Sequence, residues 1–184
     1  MDMRKMVLYP DSKLRVKTEE VKNVTARLLK EIKDLVEVLD KSENGAGLAS
    51  TQIGYKNRFL GIKKEKEILV MINPQIIKTY GEKVYPIIED SEGKKEDFLE
   101  GCLSFPNLYG TVKRFLKVEV SWEEIKSEKL TQKQQLMDGF EAIVLQHELD
   151  HLNGILFTDH IKKDGGKLYR FVGKERIELD KSSY

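Results

Sequence analysis

Two of the three histidines in this 184-residue chain stand four positions apart in Gln146-His147-Glu148-Leu149-Asp150-His151-Leu152. At about 3.6 residues per turn, positions i and i+4 share a helix face, so both imidazoles can reach one ion while Glu148 projects beside it. Ile143, Val144 and Leu152 flank the pair on or near the same face. Polar groups in such an apolar setting are costly unless bonded, and an unpaired buried acid needs a cation close by. The segment therefore reads as an interior helix carrying a metal centre with its own base, rather than as a helix with two packed histidines.

The length allows one sizeable core, so residues 1–184 are expected to form a single catalytic domain, with about 160–184 a variable C-terminal tail. A formal net charge of +1 supplies no global field for gripping DNA or an anionic membrane, which points to a small-molecule or peptide partner. Met1 to Pro10 lacks the apolar run of a signal peptide, and no stretch approaches the ~20 apolar residues of a membrane span. The expected location is the cytoplasm. With one cysteine there is no internal disulfide, and Cys102 is either an inert small hydrophobe or a functional thiol.

Leu28, Leu29, Ile32, Leu35, Val36 and Leu39 repeat at helical spacing between Thr25 and Lys41, with Asn44-Gly45 as a stop signal. Short β-rich runs follow at Arg58 to Ile62, Ile68 to Ile72 and Gln75 to Tyr80, separated by charged or Asn-Pro punctuation. Asp90 to Asp97 reads as a solvated loop on polarity. Alternation from Leu116 to Trp122 predicts a strand with one dry face, and Leu130 to Gln135 would complete a hairpin. Asp138 and Glu141 suggest a capping box for a metal-ligand helix over about 138–153, ended by Asn153-Gly154. Beyond Thr158 the pattern is weak, and Lys167 to Phe171 and Arg176 to Leu179 fit strands or a frayed helix equally well.

A catalytic zinc-type site takes three protein ligands and keeps a position for water. A metzincin would have its third histidine at position 157, where this chain has Phe157. A thermolysin-like enzyme would use a downstream glutamate, and only Glu175 and Glu178 are available. Cys102 remains, in Glu100-Gly101-Cys102-Leu103-Ser104.

Three segments now stand in order: Gly45-Ala46-Gly47-Leu48-Ala49-Ser50-Thr51-Gln52, Glu100 to Ser104, and Gln146 to His151. Together they resemble the three signature motifs of peptide deformylases, and Val7-Leu8-Tyr9-Pro10-Asp11 with Leu14-Arg15 is similar to that family's opening, so the resemblance spans roughly residues 5 to 160. It implies removal of the formyl group from the N-terminal methionine of nascent polypeptides, with Cys102, His147 and His151 holding one divalent ion, usually Fe²⁺. A thiolate ligand is soft enough to accept zinc, nickel or cobalt as well.

The chemistry of amide hydrolysis fits that implication, since it needs an activated water, a proton carrier and an oxyanion site. Glu148 is expected to carry the proton. The family pattern assigns the oxyanion donors to the Gln52 amide and the Leu103 backbone N–H. By the same resemblance the methionine side chain enters a pocket of Ala46, Phe98, Phe140, Ile143 and Val144, with Gly45, Gly47 and Gly101 also against substrate. The peptide beyond would lie extended near Gly47 and Leu108 to Gly110, as an added strand. Ser50 stands where the family usually has alanine, and an arginine that some members place after the cysteine motif has no match around Leu108 and Tyr109. Lys162, Lys163, Lys167 and Arg170 could touch ribosomal RNA, although a solvated charged face is the commoner meaning of such residues. The fold class expected is α+β: mixed or antiparallel strands wrapped around the central metal-ligand helix, with the Thr25–Lys41 helix outside.

Overall fold

Thr25 opens the first helix, α1 (Ala26–Lys41), in a computed structural model that describes residues 4–65, 67–89, 93–173 and 175–180. Its Oγ1 accepts from the Leu28 N–H at 3.1 Å, satisfying one of the donors that a helix start leaves free. Leu28, Leu35, Val38 and Leu39 are buried, while Lys30–Asp34 and Lys41–Glu37 pairs line the wet face. This helix packs outside β1 (Gly47–Ala49), β2 (Phe59–Lys63) and β3 (Ile68–Tyr80). The outer position of the N-terminal helix is as the sequence implies.

Two larger sheets hold the site. One runs β1-β2-β3-β8-β9, with β8 (Lys117–Lys126) and β9 (Lys129–Asp138) as the hairpin that the alternation from Leu116 announces. The other runs β11-β10-β7-β6, built from β6 (Glu100–Cys102), β7 (Phe105–Gly110), β10 (Leu168–Val172) and β11 (Glu175–Leu179). All ladders between these strands are antiparallel. The helix expected to carry the metal ligands, α2 (Gly139–Leu152), lies between them and is buried on nearly every side. Leu145, Leu149 and Leu152 join Met71, Val118, Val120 and Trp122 in the main core. Each fully buried leucine of this kind contributes roughly 1.5–3 kcal/mol. His147, Glu148 and His151 turn instead toward β1 and β6. An antiparallel α+β fold around a central ligand helix is thus what the chain forms.

Several local readings are corrected. The expected break at Asn73-Pro74 is a bulge within one strand: β3 continues through it, with a register shift between Ile72 and Gln75. Asn73 adopts φ 51°, and its side chain both accepts from Val21 N–H and donates to Val21 C=O at 2.8 Å, so the irregularity is tied down where proline could not have joined the ladder anyway. The polar stretch Asp90 to Asp97, a solvated loop by its composition, is partly strand, since β5 (Lys95–Asp97) pairs with β4 (Ile87–Glu89); residues 90–92 lie outside the described part. No capping box forms at Asp138, because Glu141 pairs with Lys64 instead.

The tail is the largest departure. A helix, α3 (Phe157–Asp164), buries Phe157 and Ile161 against Leu14, Phe105 and Leu168. The β10–β11 hairpin then docks on β7, so both runs left open in the sequence are strands. Its docking also closes an edge. Leu108, Tyr109 and Gly110 pair with Arg170, Tyr169 and Leu168, while Tyr109 and Gly110 pair with Gly101 and Glu100 on the other side. An extended peptide therefore cannot add to Leu108–Gly110 as expected, and the edges left open toward the site are those of β1 and β6. Residues 181–184 of the expected tail lie outside the described part.

Candidate metal centre

Helix α2 brings the two imidazoles together because their four-residue spacing stacks them: ring centroids lie 4.9 Å apart. Cys102 closes the cluster from the end of β6, with Sγ 3.2 Å from His151 Nε2. One ligand atom from each of Cys102, His147 and His151 lies within 4.8 Å of the others, the one such group of three or more histidine, cysteine or acidic side chains among the described residues. One sulfur and two nitrogens form a donor set suited to iron, zinc, cobalt or nickel. His151 Nδ1 is buried without a hydrogen-bond partner.

Electrostatics set the two rings apart. Burial opposes charge on His147, but the facing Glu100 carboxylate holds its pKa well above the usual histidine value. Burial together with the His147 charge drives His151 well below it. A divalent ion held here would displace the protons of its ligands, since imidazole and thiolate bind metal only when deprotonated.

Glu148 sits beside this cluster, 4% exposed, with Oε2 lacking any hydrogen-bond partner. Burial pushes its pKa up to about 7, near the value suited to accepting and returning a proton at neutral pH. Strand β1 can approach so closely only at a glycine: a Cβ on Gly47 would lie 2.7 Å from Glu148 Oε1 and 2.8 Å from Val144 Cγ1. Gln52, in the 3₁₀ turn after β1, accepts from Ala49 N–H through Oε1 at 2.8 Å, so its amide nitrogen is turned toward Cys102 Sγ at 3.5 Å and Ser104 Oγ at 3.2 Å. Leu103 occupies the turn directly after Cys102.

A cavity of about 470 Å³ opens onto the cluster. Gly45, Ala46, Gly47, Phe98, Gly101, Phe140, Ile143 and Val144 all line it, together with Gln52, Leu103, Cys102, His147 and Glu148; His151 lies behind these. Phe98 and Phe140 meet edge to face at 5.9 Å and form an aromatic wall. Sequence reasoning missed the support beneath. Glu100 Oε1 bonds His147 Nδ1 at 2.7 Å, and Glu100 also accepts two bonds from Arg114, at 2.9 Å to Nε and 2.6 Å to Nη2. Arg114 is 3% exposed, yet no local signal in Thr111-Val112-Lys113-Arg114-Phe115 marks it as the interior cation and Lys113 as the outer one.

Comparison with known proteins agrees with this arrangement. The family model described as polypeptide deformylase matches residues 3–167. Peptide deformylase 2 of Clostridium acetobutylicum is 36% identical over 86% of this chain and 95% of its own length. The peptide deformylase of Helicobacter pylori (strain G27) is 34% identical over 98% of this chain and 97% of its own. Among solved structures, peptide deformylase from Thermotoga maritima superposes with a TM-score of 0.73 at 28% identity, covering 87% of this chain and 98% of that one. A shared fold, a shared sequence over most of both lengths and a cysteine–histidine–histidine cluster open to a cavity have one common meaning: the chain belongs to the peptide deformylase family, metal-dependent hydrolases that remove the N-formyl group from nascent polypeptides.

Proposed function

We propose that Cys102, His147 and His151 hold the divalent ion of this deformylase, that Glu148 is its general base and acid, and that Gln52 Nε2 and the Leu103 backbone N–H bind the oxyanion. The observation that carries this is the unpartnered Glu148 Oε2 beside a cysteine–histidine–histidine cluster whose ligand atoms lie within 4.8 Å of one another. When bound by these three residues, the ion would supply Lewis acidity to the site. Glu148 takes the proton released from the attacking water and delivers it to the departing amine nitrogen. The Ala49 N–H holds Gln52 Oε1, which fixes the plane of the amide, and Nε2 exchanges its long contact with Cys102 Sγ for the formyl oxygen as charge develops there. The methionine side chain fills the pocket of Ala46, Phe98, Phe140, Ile143 and Val144, and the peptide backbone lies along Gly45, Gly47 and Gly101, which line the same cavity between the open edges of β1 and β6.

Iron is the ion we assign in the cell, as the family resemblance implies; a thiolate and two imidazoles accept Fe²⁺, and the thiolate makes an iron-loaded centre sensitive to oxidation. The whole of residues 1–184 acts as one catalytic domain in the cytoplasm, where formylated chains emerge. The described chain has no helix long and apolar enough to cross a membrane. Lys162, Lys163, Lys167 and Arg170 are all exposed along α3 and β10, a placement that suits a contact with ribosomal RNA near the exit tunnel.

The test is anaerobic. Protein purified without oxygen should carry about one iron per chain and release formate from a formyl-methionyl peptide but not acetate from its acetyl counterpart, with activity fading in air and persisting when cobalt or nickel replaces iron. Full activity in chelator-dialysed protein would end the metal assignment. Gln52→Leu should lower kcat about 10²-fold with little change in KM, as losing an oxyanion donor does elsewhere. An unchanged kcat would move the oxyanion site away from Gln52.

A further inference from the structure

Beneath the metal centre a line of buried charge runs out to the far side of α2. Glu100 receives His147 and Arg114, as described above. The same guanidinium reaches onward through Nη1 to Asp150 Oδ2 at 2.5 Å, and that oxygen also meets His160 Nε2 at 2.8 Å. Arg114 thus stands between two carboxylate–histidine pairs, with Glu100 against His147 on one side and Asp150 against His160 on the other. Arg114 and Glu100 are 3% and 4% exposed, and the His160 and Asp150 side chains 15% and 17%. The line ends at a second cavity of about 430 Å³, bordered by Arg58, Lys83, Gln146 and Asn153.

We propose that His160 is a positioning residue for the metal centre: by donating to Asp150 it holds Arg114 and Glu100 in the arrangement that aims His147 at the ion. The proposal rests on reading Cys102, His147 and His151 as the ligands. A carboxylate only accepts, so the His160 Nε2 facing Asp150 carries the hydrogen. Two carboxylates share one guanidinium here, and each needs a further donor. Without His160, Asp150 keeps Arg114 as its strongest buried partner and draws it away from Glu100, whose bidentate contact depends on both Nε and Nη2. Glu100 then loses the orientation that fixes His147 with Nδ1 protonated and Nε2 free to ligate. Helix α3 is suited to this role because it is anchored at the same ring from another direction: Phe157, fully buried at its start, lies with its ring centroid 6.3 Å from that of His147.

Cobalt binding to the metal-free full-length protein, followed by the thiolate-to-cobalt absorption band, reads this without relying on turnover. His160→Phe keeps the bulk and removes the donor, and its cobalt affinity is expected to fall about three- to tenfold, short of the roughly 10–100-fold typical of groups bonded directly to a ligand. Its kcat in deformylation should fall in parallel while KM holds. His160→Gln, whose amide N–H can reach Asp150, should restore both, and His160→Asn, too short to reach, should not. Affinity, band and kcat at parental values in the Phe variant would overturn the proposal; so would equal behaviour of the Gln and Asn variants, which decides the matter even if the Phe variant fails to fold. A parent protein without the thiolate-to-cobalt band would instead overturn the ligand assignment, and this inference with it.

Discussion

Glu148→Gln is expected to lower kcat for a formyl-methionyl peptide by about 10²–10⁴-fold, the usual range for a positioned general acid–base group. Metal content and the cobalt spectrum should be those of the parent. The substitution is isosteric, so the close packing of Gly47 and Val144 around the side chain is kept, and only the capacity to hold a proton is lost. Stability should move the other way: Glu148 is a buried carboxylate with one oxygen unpartnered, and exchanging it for a neutral amide removes a desolvation cost. In metal-free protein the variant should therefore melt no lower than the parent. Formate release under single-turnover conditions and calorimetry check the two halves, and a fully active variant would assign the proton transfer to another group.

That prediction was available from the sequence because the helical period is short-range information. His147, Glu148 and His151 are placed by the pitch of one helix, and a buried helix that carries these three ionisable groups admits few explanations. Cys102 and Gln52 come from separate strands and turns, and became legible only through their neighbours in recognisable segments. What stayed hidden shares one property: its cause lies in another part of the chain. Asn73-Pro74 looks like punctuation locally, and is a bulge because Val21 supplies the backbone partners for Asn73. Glu141 could cap α2, and pairs with Lys64 instead. The tail beyond Thr158 alternates poorly since its strands bury few side chains, Leu168 and Tyr169 above all, and owe their pairing to the edge of β7. Leu108–Gly110 looks locally like an open edge, because nothing near it in sequence announces that residues some sixty positions later will cover it.

Arg114→Met carries the largest expected cost in stability, about 3–5 kcal/mol, since it leaves the buried Glu100 carboxylate and the partly buried Asp150 carboxylate without their common cation. The ion pairs on the surface of α1 set the contrast. Lys41–Glu37 is an exposed i,i+4 pair worth about 0.3–0.5 kcal/mol, and Lys41→Ala should scarcely move the melting temperature. Arg114 differs in having no water to fall back on at 3% exposure, and in making three charged bonds at once, two to Glu100 and one to Asp150. In a chain of this size the loss corresponds to a fall of about 2–4 °C in Tm per kcal/mol. Adding Glu100→Gln and Asp150→Asn to Arg114→Met should recover part of the stability, because the orphaned charges, more than the missing attraction, make the single change expensive. It should not recover metal affinity, since a neutral amide in place of the Glu100 carboxylate no longer pairs as an anion with the His147 ring. Thermal unfolding and cobalt titration of the single and triple variants separate the two effects. If the triple variant regained affinity along with stability, the charge on Glu100 would have no part in holding His147, and the support beneath the metal centre would be a matter of packing alone.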